Sequence, residues 1–347
     1  MSAAAPTEGA PAASRPVARR LPAPGACGPH GGAGGPVLFP PPDPPGGLMG
    51  GVRGWLTPRL PALAGPFTDR TAGFGVLMYH RFADPVPGLP APTWNVPPAR
   101  LRRQLRGLLD LGFKPARLDD VLAAALAGEP VDPRTFVVTI DDGYLNNLTR
   151  GLPVFESLRV PITLFVATGY LGSPDPYPFD DWAAKGDARA PRESWAAMTT
   201  AQCRRFAASP WVSLGAHTHT HQDFRGRPAA FAADVTECCR VLRRDFGVER
   251  PAFAFPYGTP ERGFSRGELA CAVRQTPVRA ALTTADERVR PGTDPFDWGR
   301  FTSTAHDTPA TLAAKLDGRF EAVKSLAARL HGGPCLPERT TAAGASE

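Results

Sequence analysis

No apolar run in the 347 residues approaches the ~20 positions that a membrane-spanning helix needs. The first thirty residues also lack the run of about 7–15 apolar residues that marks a secretory leader. There Arg15, Arg19 and Arg20 are followed by Pro, Gly and Cys. The expectation is therefore a cytoplasmic chain without a transmembrane segment. None of the six cysteines forms a C-x-x-C pair, and six in a chain this long are too sparse for a disulfide framework, so reduced thiols are expected. Lysine is scarce beside arginine, and no long basic run accompanies the net charge of +6. Acidic residues are interspersed with the arginines, which argues against a nucleic-acid partner and leaves a mildly basic surface suited to acidic glycans or membrane headgroups. Glycine at every third position is absent, which excludes collagen.

Proline and glycine are nonetheless abundant, and unevenly spread. Residues 1–70 hold 15 prolines and 13 glycines, so this segment is expected to be disordered. From residue 71 the pattern changes, and 71–331 is expected to form one catalytic domain ahead of a flexible tail, 332–347. Short apolar runs at 74–79, 135–140 and 162–166 read as buried strands, and further strands are expected at 211–215, 252–256 and 278–283. Helical spacing appears at 101–109, 118–126, 145–158, 228–246, 263–274 and 309–330, with Thr308 as the N-cap of the last. Strands alternating with helices imply an α/β fold with a parallel sheet, as a barrel or an open doubly wound sheet. Residues 171–198, rich in Pro, Asp and Trp, read as a long excursion near the site.

Two clusters carry chemistry. Thr139-Ile140-Asp141-Asp142-Gly143 ends the strongest strand. One of its carboxylates is free to bind a cation while the other accepts a proton, although Asp-Gly is also ordinary turn chemistry. His217-Thr218-His219-Thr220-His221 follows another strand. The i, i+4 spacing places His217 and His221 on one face if the segment is a helical turn, and leaves His219 pointing elsewhere. Asp142, His217 and His221 together make a two-histidine, one-carboxylate donor set with open positions, the arrangement a hydrolytic metal needs. Asp141 then remains as the general base. Pro256-Tyr257-Gly258, at another strand end, suggests a fixed turn whose N–H faces an oxyanion. His80 closes the first strand at the same sheet edge and is the best-placed histidine to protonate a leaving amine, with His306 a weaker competitor.

These motifs, in this order, resemble the polysaccharide deacetylase family (carbohydrate esterase 4, NodB homology) across roughly residues 74–305. Thr139–Gly143 matches the T-F-D-D-G block with Ile for Phe, and His217-Thr218-x-x-His221 matches H-[ST]-x-x-H. The resemblance implies a distorted (β/α) barrel. It implies Asp141 as base and Asp142, His217 and His221 as ligands for zinc or another divalent ion such as cobalt, nickel or iron. Leu77-Met78-Tyr79-His80 resembles the opening block of a circularly permuted subgroup that deacetylates exopolysaccharide poly-N-acetylglucosamine, in which this histidine is the general acid. The family's R-x-P-Y block appears as Ala254-Phe255-Pro256-Tyr257, so its arginine, which orients the catalytic Asp, is missing. Arg300 is the candidate substitute, and the late leucine–histidine block is not visible.

The expected function is metal-dependent hydrolysis of an N-acetyl group on an amino sugar in a polysaccharide, oligosaccharide or glycan precursor. Pro256, Trp182 and Arg300 are expected on the substrate side, and Trp182, Trp195 and Tyr257 are the aromatic residues available to stack on sugar rings. A hydrolase of a non-sugar amide on the same fold, or a weakly catalytic glycan-binding protein, are the rival readings. A cytoplasmic location conflicts with a polymer substrate, unless the substrate is an internal precursor or the start lies within residues 1–70.

Overall fold

The computed structural model describes residues 73–184 and 189–319. The expectations for residues 1–70, for the tail 332–347 and for helix beyond 319 lie outside the described residues. Eight strands form one sheet: β1 (Gly75–Tyr79), β2 (Lys114–Ala116), β3 (Thr135–Ile140), β4 (Ile162–Val166), β5 (Val212–Ala216), β6 (Ala252–Ala254), β7 (Ala280–Leu282) and β8 (Phe301–Thr302). Their order is β7-β6-β5-β4-β3-β1-β8, and every pairing is parallel. β2 also pairs with β3, over Thr135–Val137, and β4 takes up the same edge from Val138 onward. Between β7 and β8 the ring closes through one parallel bridge, Leu282 with Trp298, rather than a ladder. The expected distorted (β/α) barrel is the observed architecture.

Alternation along the strands explains why nearly every strand residue is apolar. Leu77 and Tyr79 of β1, Phe136, Val138 and Ile140 of β3, and Ile162, Leu164 and Val166 of β4 pack in one cluster with the helices outside the sheet. Val76, Val137, Phe165, Ala254 and Leu282 fall in a second cluster, on the opposite face, with Trp298. Both faces are covered, as a parallel sheet requires. The same period of two carries Met78, His80, Thr139 and Asp141 to the second, inner face. The register pairs Tyr79 with Ile140, so His80 and Asp141 leave their strands side by side.

The covering helices are α1 (Pro98–Asp110), α2 (Leu118–Ala127), α3 (Leu152–Leu158), the short α4 (Asp181–Ala184), α5 (Thr200–Ala207), α6 (Pro228–Phe246), α7 (Glu268–Val273) and α8 (Pro309–Leu316). α6 starts with Pro at its first turn and stops at Gly247, whose φ of 70° is a left-handed cap, and its span is the one the sequence pattern gives. α8 begins at Thr308, whose side chain accepts from the Thr311 N–H in a reciprocal capping box. The helix expected at 145–158 is interrupted, because residues 147–151 form a π turn ahead of α3. That turn aims the Asn147 side-chain amide at the His80 carbonyl, 2.8 Å away, while Asn146 Oδ1 accepts from the Phe82 N–H. α5, β2 and β8 have too little periodicity to be visible in the sequence. Cys203, Cys238 and Cys239 are buried free thiols.

Inside the barrel, fit is tight where β4 and β5 pair. Gly215 stands opposite Phe165. A Cβ on Gly215 would collide with the Phe165 ring and lie 3.0 Å from the Ala252 carbonyl oxygen. Replacing Gly215 with Ala is expected to lower the unfolding free energy by about 1–3 kcal/mol, the usual cost of overpacking. Denaturant titration of the two proteins checks this, and equal midpoints would mean that Phe165 has room to move.

Candidate active site

The ends of β1, β3 and β5 and the loop after β6 converge on one patch at the C-terminal edge of the sheet. Asp141 follows β3, and its N–H is held by the Tyr79 carbonyl at 2.9 Å. Asp142 adopts a φ of 75°, unusual for a residue other than glycine, and Gly143 follows at 104°. This reversal turns the two carboxylates in different directions. Asp141 faces the barrel interior and Asp142 faces the histidine loop.

Arg300 is the partner of Asp141. Its Nη1 lies 2.7 Å from Oδ1 and its Nη2 lies 2.9 Å from Oδ2, a bidentate pair between two fully buried side chains. The guanidinium is itself fixed, with Nε donating to the Thr283 carbonyl and Nη1 also reaching Thr139 Oγ1. The Phe165 ring lies 5.6 Å beneath it. Arg300 belongs to the segment 298–302 that closes the barrel between β7 and β1, so closure delivers the arginine. Ala254, where the resembling family carries arginine, is 0% exposed and packed among inner-face side chains. Arg300, expected both as a substitute for the missing arginine and on the substrate side, takes the first place here: it is fully buried, and its hydrogen bonds go to Asp141, Thr139 and Thr283.

Burial alone would push the Asp141 carboxyl up, but Arg300, with His217 and His80 adding to it, holds the group below the ordinary carboxylate value. The carboxylate is thus kept ionised in a site that would otherwise protonate it.

His217 and His221 do come together, though not on a helical turn. Residues 217–221 are an irregular loop in which Thr218 and His221 both take positive φ, 64° and 52°. His221 donates its N–H to Thr218 Oγ1 at 3.0 Å, closing the loop on itself. Asp234, from α6, clamps the outside by accepting from the N–H groups of His219 and Thr220 and from the Thr220 hydroxyl. His219 points away from the other two and meets Thr168 Oγ1 through Nδ1, the structural place expected for it.

The resulting triad has the donor chemistry of a metal site. His217 Nε2 and His221 Nε2 each lie 3.4 Å from Asp142 Oδ1. All three ligand atoms lie within 4.8 Å of one another, and all three residues are buried. His217 Nδ1 sits 2.8 Å from the Ala254 carbonyl and donates to it, so Nε2 is the nitrogen turned toward Asp142. Asp142 Oδ1 is buried with no hydrogen-bond partner. A buried carboxylate oxygen that has no hydrogen-bond partner and lies 3.4 Å from two imidazole nitrogens is an environment that a divalent cation satisfies. Burial works against ionisation of Asp142, yet the two histidines hold its carboxyl well below the usual range.

The remaining expected residues divide. His80 is half-buried, and burial lowers its imidazole below the ordinary value, opposed by the Asp142 and Asp141 carboxylates. Tyr257 has a φ of 61°, its ring stacks edge-on to His221 at 5.2 Å, and among the described residues its N–H has no hydrogen-bond partner. Pro256 is buried beneath that turn, its carbonyl accepting from the Gly258 N–H. Trp182 is 2% exposed, donates Nε1 to the Pro90 carbonyl and packs with Ala83 and Ala190. With no free ring face it is corrected from substrate contact to packing. Trp195 packs against the same small cluster, and His306 is exposed on the loop ahead of α8.

The long excursion contributes residues that the sequence did not single out. Tyr177 donates its hydroxyl to the Asp142 carbonyl at 2.9 Å, and Phe179 lies 4.4 Å from the His221 ring. Arg81 anchors the excursion through Asp180 at 2.7 Å, in a buried ion pair. Trp94, also unnoticed, stacks on His80. The signals available were only an aromatic residue in a loop and an Asp-Asp-Trp run, neither of which separates lining from packing.

Comparison with known proteins places this geometry. Residues 128–274 match the family model described as polysaccharide deacetylase. The poly-beta-1,6-N-acetyl-D-glucosamine N-deacetylase of Escherichia coli (strain K12) is 29% identical over 124 residues, which is 36% of this chain and 18% of that protein. This chain thus spans less than a fifth of the length of that curated relative. Among solved structures, IcaB from Ammonifex degensii superposes with a TM-score of 0.57 at 24% identity, covering 70% of this chain and 97% of that one. A de-N-acetylase from Aggregatibacter actinomycetemcomitans gives 0.58 at 17% identity, covering 70% and 99%. The Streptococcus pyogenes deacetylase PplD, solved in complex with acetate, gives 0.57 at 17%, covering 70% and 98%. These three share the fold. Residues 128–274 are thus similar to a polysaccharide deacetylase domain, and the buried Asp142–His217–His221 group falls within that stretch.

Replacing Arg300 with Met leaves Asp141 as an unpaired buried charge, with an expected loss of about 3–5 kcal/mol of stability at neutral pH. The sign with pH follows from the depressed carboxyl. Its contribution is present above the unfolded-state pKa and is lost as pH falls through the folded one. The gap between wild type and Arg300→Met is therefore expected to narrow in acid, as read by denaturant titrations from neutral pH down to the carboxylate range. A gap constant with pH would mean that Arg300 stabilises by packing alone.

Proposed function

We propose that this protein is a metal-dependent deacetylase that hydrolyses the N-acetyl group of an amino sugar within a glycan, releasing acetate and a free amine. The observation that carries this reading is the pairing of an arginine-held, ionised Asp141 with an adjacent buried donor set, Asp142, His217 and His221, whose ligand atoms lie within 4.8 Å of one another and whose Asp142 Oδ1 has no hydrogen-bond partner. The named relative's substrate, poly-beta-1,6-N-acetyl-D-glucosamine, gives the choice of amide its direction.

Asp142, His217 and His221 would hold the divalent ion, zinc by the preference of a mixed imidazole–carboxylate set, with cobalt, nickel or iron as alternatives. Such an ion supplies Lewis-acid polarisation of the acetamide carbonyl and lowers the pKa of bound water. Asp141 takes the proton of the attacking water. Arg300 uses one lone pair on each of its oxygens, and a carboxylate retains others for a second donor. The unpartnered Tyr257 N–H, presented by a left-handed turn, stabilises the developing oxyanion. His80 gives a proton to the departing nitrogen, and the nearby Asp141 and Asp142 carboxylates favour its protonated form against the effect of burial. Arg300 supplies to Asp141 what the absent motif arginine would have supplied. The ground for preferring a non-sugar amide, which rested on that absence, is correspondingly reduced.

The test is acetate release from a panel of N-acetylated oligosaccharides, before and after chelation and after re-addition of Zn²⁺, Co²⁺ or Ni²⁺. Chelation is expected to abolish release and metal to restore it. Asp141→Asn is expected to lower turnover by about 10²–10⁴-fold while keeping metal, the scale of a general base. His217→Ala is expected to lose both metal and turnover. Acetate release from His217→Ala with metal absent would overturn the reading.

A further inference from the structure

Among the described residues only three large hydrophobic side chains are well exposed: Trp94 at 56%, Leu111 and Leu126. The two leucines lie at the ends of α1 and α2, whereas Trp94 lies against the candidate active site. Its indole stacks on the His80 imidazole, with ring centroids 5.4 Å apart and planes inclined by 24°. One face of the indole is therefore taken by His80, and its large residual exposure leaves the rest of the ring to solvent.

This placement is held by the chain on either side. The Thr93 N–H donates to Asp181 Oδ2 at 2.9 Å, and Asp181 is in turn bound by the buried Arg81 at 3.3 Å. Asn95 is buried, its amide accepting from the Ala83 N–H at 2.7 Å and donating to the Ala83 carbonyl at 3.0 Å. Val96 donates its N–H to the Arg81 carbonyl. Trp94 itself takes a φ of 55°, a conformation that a bulky residue adopts only where its surroundings fix it. An apolar ring held rigidly in water, with a polar rim, has the character of a binding surface rather than of incidental exposure.

We propose that Trp94 is a sugar-stacking platform that receives a pyranose ring of the glycan chain, adjoining the unit that presents its acetamide to Asp141 and His80. The inference rests on the deacetylase reading and adds to it that the enzyme engages more than one sugar unit. A pyranose offers a face of C–H groups of the size of the indole, while its hydroxyls stay in water at the rim. A rigid ring ordered in advance loses little conformational freedom on binding, so its contact appears mainly in affinity. Trp94 would act on binding of the chain and leave proton transfer to His80.

The probes are soluble N-acetylglucosamine oligomers of one to six units, with the metal-loaded wild type, Trp94→Phe and Trp94→Ala. Tryptophan emission of the wild type is expected to change saturably with the longer oligomers, and the Trp94-dependent change to be missing from both variants. In acetate-release kinetics, Trp94→Ala is expected to raise KM roughly five- to tenfold for tetramer and longer, the scale of an aromatic contact, with less change on the monomer and a smaller effect on kcat. Trp94→Phe, which keeps a ring, is expected to recover most of that loss. A KM for the hexamer equal to that of the wild type, or a fall in kcat alone at every length, would overturn the platform. If the wild type releases no acetate from any oligomer, the deacetylase reading fails and the emission titration decides the platform by itself. A saturable change lost in Trp94→Ala then supports it, and the absence of any change overturns it.

Discussion

The bidentate pair between Asp141 and Arg300 is the interaction on which the rest of the molecule depends. It joins the end of a fully buried strand to the short segment that closes the barrel, across a separation of 159 residues. Two buried ions are expensive to desolvate, and only near-complete hydrogen bonding makes such a pair tolerable. Thr139, Thr283 and the Phe165 ring complete that shell around the guanidinium. The barrel has only one bridge between Leu282 and Trp298 at this point, so the ion pair is also part of what holds the ring shut.

A single set of constraints thus serves both stability and chemistry. The carboxylate that the pair keeps ionised lies beside a second one, Asp142, which is turned the other way by a left-handed backbone. The histidines reach Asp142 from a loop whose own two left-handed residues, Thr218 and His221, are fixed by a hydroxyl and by Asp234. Strained backbone positions of this kind collect at functional sites because the surrounding fold can hold them. Asp142, Thr218, His221 and Tyr257 account for four of the six positive-φ residues other than glycine among the described residues, and Trp94 is a fifth.

The excursion between β4 and α5 forms the outer wall. Tyr177 grips the Asp142 backbone, Phe179 covers His221, and Arg81 ties the segment back to β1 through Asp180. Across the site, the π turn before α3 secures the His80 carbonyl. Tyr257 and Trp94 complete an aromatic rim around a polar centre. That composition suits a ligand with apolar ring faces and polar edges.

While the barrel came from the family resemblance alone, the sequence by itself determined the alternation of strands and helices, the parallel sheet and the identities of the metal-type donors. Those features are local. A β-branched run makes a buried strand wherever it stands, and the Asp-Asp-Gly and His-x-x-x-His blocks carry their chemistry in their own spacing. Even so, the histidine spacing suggested a helical turn where a loop forms, because two geometries bring i and i+4 together and the pattern does not distinguish them. The sequence offered Arg300 only as a candidate substitute, and the tertiary structure decided that it reaches Asp141, because the guanidinium arrives from the residue just ahead of a two-residue strand with no periodicity of its own. It likewise decided that Trp182 is buried while Trp94 is exposed. A tryptophan in a loop has the same local sequence character in either place, and only the packing of distant segments settles which of its faces meets water.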